Sequence, residues 1–211
     1  MKRTIAPLLA IGACLWLAPL AHGQAFDLNI IAGVSFCQID GDQSAHFNHI
    51  GYQAGVATTF PLGNKGKWRM QVEIGAMQKG SEIDLQALSR SISLHYVHLP
   101  LLLTYSLSEK EGDRGGLRLG AGIAPAILFR ANVETDGVRD AALADNYRRL
   151  DALPVVVEAR YMLGRHLGLA ARYYNSLLHI DKESGNGIYH LFRSNKGQFS
   201  NLLSAGLYLR F

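Results

Sequence analysis

Cysteine is nearly absent. Two occur in 211 residues, Cys14 and Cys37, and Cys14 falls inside the leading apolar stretch. A chain processed after that stretch keeps one thiol and forms no internal disulfide. That excludes the small secreted domains stapled by disulfides. Long apolar runs are missing too. Beyond the leader, no stretch approaches the ~18 uninterrupted apolar residues of a membrane helix. Yet the hydrophobic share is 48% and mean hydropathy is +0.05. The apolar residues are therefore dispersed. Charged residues make up only 18%, where an average soluble domain carries about 25%. The formal net charge is +4, and loss of Lys2 and Arg3 with the leader lowers it by two. No basic cluster with interleaved aromatics appears, so nucleic acid is not an expected partner. Heptads, low-complexity tracts and internal repeats are absent. The Gly-x-Gly at Gly120 falls in mid-strand and cradles no phosphate.

The N-terminus has the form of a secretory signal. Lys2 and Arg3 give the positive start, Ile5 to Leu20 the apolar core, and Ala21-His22-Gly23 the small residues before a cut ahead of Gln24. Residues 1–23 are thus expected to be a cleaved signal peptide and 24–211 a single domain. A retained anchor helix is opposed by Pro7 and Pro19. Lipoprotein processing at Cys14 is opposed by the apolar run that continues past it.

What the chain has in abundance is alternation. Eight segments place apolar residues at every second position, the period of a strand with two unlike faces. From Phe26 to Cys37, Phe26, Leu28, Ile30, Ala32, Val34 and Phe36 oppose Asp27, Asn29, Ile31, Gly33 and Ser35. From Trp68, the residues Trp68, Met70, Val72, Ile74 and Ala76 oppose Arg69, Gln71, Glu73, Gly75, Met77 and Lys79. The same pattern covers Gly51–Phe60, Tyr96–Leu107, Leu117–Phe129, Leu153–Met162, Leu167 to about Tyr174, and Leu203–Phe211. Frequent internal glycine, which costs about 1 kcal/mol each in a helix, argues against helices. Pro100 cannot donate to a ladder and predicts a bulge or distorted pairing.

The connections alternate in length. Gln38–Ile50, Gly80–His95, Arg130–Ala152 and Asn175–Leu202 are long. Pro61–Lys67, Ser108–Gly116 and Leu163–His166 are short. Outer-membrane barrels show this asymmetry, with short periplasmic turns and long extracellular loops. Strands of about 9–12 residues suit a tilted crossing of a bilayer, and aromatics end the apolar faces. The expected fold is all-β: a closed, eight-stranded, antiparallel up-and-down transmembrane barrel. It would be integral to the cell outer membrane with both termini periplasmic. A soluble periplasmic barrel or sandwich is the alternative. In the membrane barrel the charged face points inward. An eight-stranded barrel is only wide enough to be filled by side chains, so Arg69, Glu73, Arg118, Glu158, Arg160 and Arg172 are expected to neutralise one another as an interior network. Gly55, Gly75, Gly120, Gly122 and Gly206 would leave room for them.

These residues also resemble a known family, the small outer-membrane β-barrel proteins of Bacteroidota grouped around PorT. The resemblance spans nearly the whole mature chain. It rests on Gly33 with Gly51-Tyr52-Gln53-Ala54-Gly55, on Gln78-Lys79-Gly80-Ser81, and on Tyr96-Val97-His98-Leu99-Pro100-Leu101-Leu102. Gly120-Ala121-Gly122, Arg172-Tyr173 and the closing Leu207-Tyr208-Leu209-Arg210-Phe211 fit as well. His98 departs from the carboxylate expected there. The resemblance implies an outer-membrane barrel, with one branch assisting a secretion system.

Candidate chemistry is sparse. His95 and His98 with Ser91, Ser93 or Ser106 could supply a base and a nucleophile, for instance in a lipid A-modifying hydrolase. His46-Phe47-Asn48-His49 with Asp40 and Asp42 could hold a metal but lacks the context of a strong zinc motif. A hydrophilic surface loop is the simpler reading. No catalytic residue, metal or cofactor is therefore assigned. The preferred function is a structural, binding or assembly component acting through extracellular loops, with a secretion-associated role as the form the resemblance offers. A lipid-modifying enzyme and a narrow ion channel are the alternatives. Expected partners are outer-membrane lipids and a protein at the loops, with the barrel itself a monomer. In the third loop, Asp140 to Leu150 could form a short helix.

Overall fold

A computed structural model of the chain describes residues 26–40, 47–63, 66–85, 88–107, 116–181 and 198–211. The signal peptide expected at 1–23, Cys14, Asp42 and His46 lie outside the described residues. So does the side chain of Asp40.

Alternation becomes a continuous antiparallel wall. Its strands are β1 (Asp27–Asp40), β2 (His49–Leu62), β3 (Trp68–Leu85), β4 (Leu88–His98), β5 (Leu101–Ser106), β6 (Gly116–Ile123), β7 (Ala126–Thr135), β8 (Val138–Arg139), β9 (Leu150–Asp151), β10 (Pro154–Met162), β11 (Leu167–Ser176) and β12 (Phe199–Arg210). A short helix, α1 (Ala141–Asp145), lies between β8 and β9. β4 with β5, and β6 with β7, each form one stave broken at a proline. The eight staves pair with their sequence neighbours, and β1 pairs β12 from Asn29↔Arg210 to Asp40↔Phe199, which closes the barrel. A closed barrel leaves no sheet edge along its wall, the condition for carrying strands through lipid.

The prolines act through their carbonyls. Pro100 interrupts its stave rather than bulging it, and its oxygen accepts from the Glu73 amide at 2.9 Å. Pro125 interrupts the next stave and accepts from the Leu99 amide at 2.9 Å. The wall stays hydrogen-bonded through both breaks, so the inward and outward faces keep their parity.

A true bulge occurs elsewhere. The register of β4 against β7 shifts between His95 and Tyr96, which leaves Phe129 unmatched. An extra residue in one strand flips every later side chain to the other face. Val133 is buried beyond the bulge, whereas Arg130 and Phe129 are both exposed.

The second long connection differs from expectation. Gly80–His95 is mostly strand: β3 runs on to Leu85 and pairs β4 down to Leu85↔Leu88. The third is also structured. Asp136-Gly137, both at positive φ (52° and 76°), make the tight turn between β7 and β8, as a hairpin of matching twist requires. Asp140 then caps α1, its carboxylate accepting from the Leu143 amide at 3.0 Å. The helix is shorter than the Asp140–Leu150 span anticipated. β9 pairs β7 through Ala126↔Asp151 and Ile127↔Leu150, so the returning chain adds a patch of wall.

The faces separate cleanly. Val56, Ile74, Val97, Leu119, Val157, Leu169 and Leu207 are exposed, although they lie in mid-strand. Phe26, Trp68, Tyr161 and Phe211 end this belt on the short-turn side, and Phe36, Tyr52 and Phe129 on the long-loop side. The polar set is buried instead: Arg160 and Arg172 are 1% and 2% exposed. An apolar outside and a polar inside is the arrangement lipid demands and water forbids.

Candidate functional site: the filled lumen

The lumen is built from inward positions of opposite staves. β3 contributes Gln71 and Glu73, and β11, four staves away across the barrel, contributes Arg172 and Tyr174. Arg172 grips Glu73 with two parallel hydrogen bonds, Nη1 to Oε1 at 3.0 Å and Nη2 to Oε2 at 2.8 Å. Its Nε donates to Glu158 Oε2 at 2.7 Å. The fork of a guanidinium matches a carboxylate in this bidentate way. Glu158 also accepts from Arg160 Nη2, which donates to Gln71 Oε1 as well. The Arg160 guanidinium stacks 3.6 Å above the Tyr208 ring. Gln71 Nε2 donates to Glu73 at 3.3 Å, and Gln53 Nε2 donates to the Tyr174 hydroxyl at 2.6 Å.

Four of the six residues singled out from sequence thus meet in one cluster: Glu73, Glu158, Arg160 and Arg172. The glycines beside it make room. A Cβ on Gly55 would lie 2.9 Å from Glu73 Oε1, and one on Gly75 2.7 Å from His98 Nε2. Arg69 stands apart, paired with Asp27 at the short-turn end. Arg118 points inward nearby and has no carboxylate partner among the described residues.

A second layer lies toward the long loops. Lys79 Nζ donates to Asp151 Oδ2 at 2.9 Å and to Ser200 Oγ at 3.0 Å, under the Tyr96 ring. Ser176 donates to the same carboxylate oxygen, and the two serine hydroxyls lie 3.1 Å apart. Asp151 belongs to β9 and was not anticipated. Nothing in the alternation marks it, because its inward position is set by the pairing of β9 with β7.

The candidate nucleophile and base do not meet. Ser93 Oγ accepts from Gln78 Nε2 at 2.5 Å, and His95 Nδ1 lies 3.2 Å from the Tyr52 hydroxyl on the outer face. His98 is buried in the lumen, its Nε2 3.9 Å from Glu73. Ser106 lies at the far, short-turn end of the stave. Of the proposed metal loop, His49 is 3.3 Å from Glu82. No group of three potential metal ligands occurs among the described residues.

Closed antiparallel staves, an apolar outer belt and a lumen packed with ion pairs define an integral β-barrel of the small transmembrane class. The model of the outer membrane protein β-barrel domain family matches residues 25–182, and the chain belongs to that family. It is accordingly an outer-membrane protein. Solved structures with a similar course are Neisserial surface protein A (NspA), 16% identical with a TM-score of 0.49 over 90% of this chain and all of that one. OprG from Pseudomonas aeruginosa is 13% identical with a TM-score of 0.45, covering 89% and 97%. Ail, the attachment invasion locus protein of Yersinia pestis, is 12% identical with a TM-score of 0.43, covering 88% and 98%. No curated protein matches the sequence.

Proposed function

We propose that the protein is a binding or assembly component of the outer membrane, working through its long loops. In this reading both termini face the periplasm and the long loops face the cell exterior. One observation carries it: the bidentate Arg172–Glu73 pair spans the lumen between opposite staves. A barrel bridged at mid-height is a rigid scaffold rather than a conduit, and function on rigid scaffolds concentrates in the loops. The third loop supports this. Its β8 hairpin, α1 and β9 present Val138, Arg139 and Leu150 as exposed residues, held to the wall by Lys79–Asp151. The partner class is a protein, and the PorT-like resemblance makes a secretion-associated role the finer form of the proposal.

The test is capture from intact cells. A tagged full-length protein and a variant with residues 138–149 replaced by a short Gly/Ser linker are compared after crosslinking. The loop variant, still heat-modifiable on gels, should lose a partner that the native protein retains. Identical partners for both would remove the third loop from the proposal. Labelling of a cysteine placed at Val138 by an impermeant reagent on whole cells tests the orientation. Labelling only after the outer membrane is broken would reverse it.

A further inference from the structure

We propose that the short-turn mouth of the barrel is a second binding site, for a phosphate or carboxylate group held by Arg118. It lies at the opposite end from the loops and does not depend on what they bind.

Arg118 of β6 stands directly across from Arg160 of β10 in the register of the two strands. Like charges in directly opposed positions weaken a sheet pair, so this placement has an electrostatic cost. Among the described residues no carboxylate relieves it. The charged groups facing Arg118 are Arg69, Arg160 and Arg210, with the Tyr208 phenol beside them. The carboxylates of this half of the lumen are engaged elsewhere: Asp27 by Arg69, Glu73 by Arg172, and Glu158 by Arg160 and Arg172.

A second observation points the same way. Nε of Arg69 and Nε of Arg160 are buried with no hydrogen-bond partner. A buried donor left unmet costs about 1–3 kcal/mol, more on a charged group. Two unmet guanidinium donors beside a half-buried third arginine with no carboxylate partner among the described residues suit this place to an anion. The low-dielectric wall focuses the field of these cations toward the mouth. A guanidinium offers paired N–H groups to two oxygens of one anion, so the geometry selects an oxyanion over a halide.

The experiment uses the full chain folded in detergent micelles at low ionic strength. It is titrated calorimetrically with inorganic phosphate and, separately, with acetate. The native protein should take up one equivalent of at least one anion, and its unfolding midpoint should rise with that anion's concentration. Arg118→Gln should bind about tenfold more weakly or worse, corresponding to 1.4 kcal/mol or more, and lose the concentration-dependent rise. Arg130→Gln, exposed on the outer face toward the loop end, should behave as the native protein. Response to phosphate alone assigns phosphate esters as ligands, and response to acetate assigns carboxylates. No saturable uptake of either anion by the native protein overturns the site, as does equal uptake by Arg118→Gln. Should Arg118→Gln not fold, Arg118→Lys decides: it keeps the charge, loses the fork, and must bind several-fold more weakly.

Discussion

At the scale of the residue, the lumen is governed by the cost of an unpaired buried charge. Arg172 serves two carboxylates at once, so its loss strands both. Arg172→Met should destabilise the barrel by about 3–5 kcal/mol, seen as a fall in the urea midpoint of folded protein in micelles. The double change Arg172→Met, Glu73→Gln should recover much of that, because it leaves Glu158 paired with Arg160 and the cluster without net charge. Equal loss in both would mean that packing rather than charge holds the centre. Glycine matters at the closing seam. Gly33 of β1 pairs Gly206 of β12, and a Cβ on Gly206 would sit 2.3 Å from the Ala32 carbonyl oxygen. Gly206→Val should therefore prevent closure and abolish heat-modifiable migration. Normal migration would show that the two backbones can part without cost. Glu73, Glu158, Arg160 and Arg172 were all readable as inward from period two alone. Which carboxylate each arginine takes was not, since partners on β3 and β11 are about a hundred residues apart and meet only across the lumen.

At the scale of the element, strand parity survived the proline breaks but not the bulge. Pro100 is visible in the sequence, whereas the extra residue at Phe129 is not, because it is defined only by the partner strand β4. The third connection is similar. A short helix after Asp140 was legible from its capping carboxylate, but β8 and β9 draw their stability from pairing with β7. Asp151 anchors this segment to Lys79. Lys79→Met leaves Asp151 buried without its cation and should release the segment. Limited proteolysis should then cut within residues 136–150, while the barrel keeps its heat-modifiable band. Protection equal to that of the native protein would assign the anchoring to the β9–β7 pairing instead. The extension of β3 to Leu85 is not legible in the sequence because its outer half loses the apolar alternation that signals lipid contact. Once above the membrane, neither face of a strand has to be greasy.

At the scale of the whole molecule, the bilayer inverts the usual rule of burial. Ile74 is 61% exposed in the middle of β3, opposite Val56. Ile74→Arg should cost about 2–4 kcal/mol near the bilayer midplane, read from the unfolding midpoint in lipid vesicles. The same change in a soluble sheet's solvent face would cost almost nothing, so a negligible effect would deny that this face meets lipid. Period-two alternation, long strands and loop lengths that alternate by parity were enough to determine a closed membrane barrel, because each is a local consequence of crossing lipid with strands. The pairing of charges across the lumen, the bulge that turns Phe129 and Arg130 outward, the anchoring of the third connection and the placement of Arg118 opposite Arg160 were decided only in three dimensions. Each depends on which distant staves closure brings face to face. Alternation states which way a side chain points; only the closed barrel determines what stands opposite it.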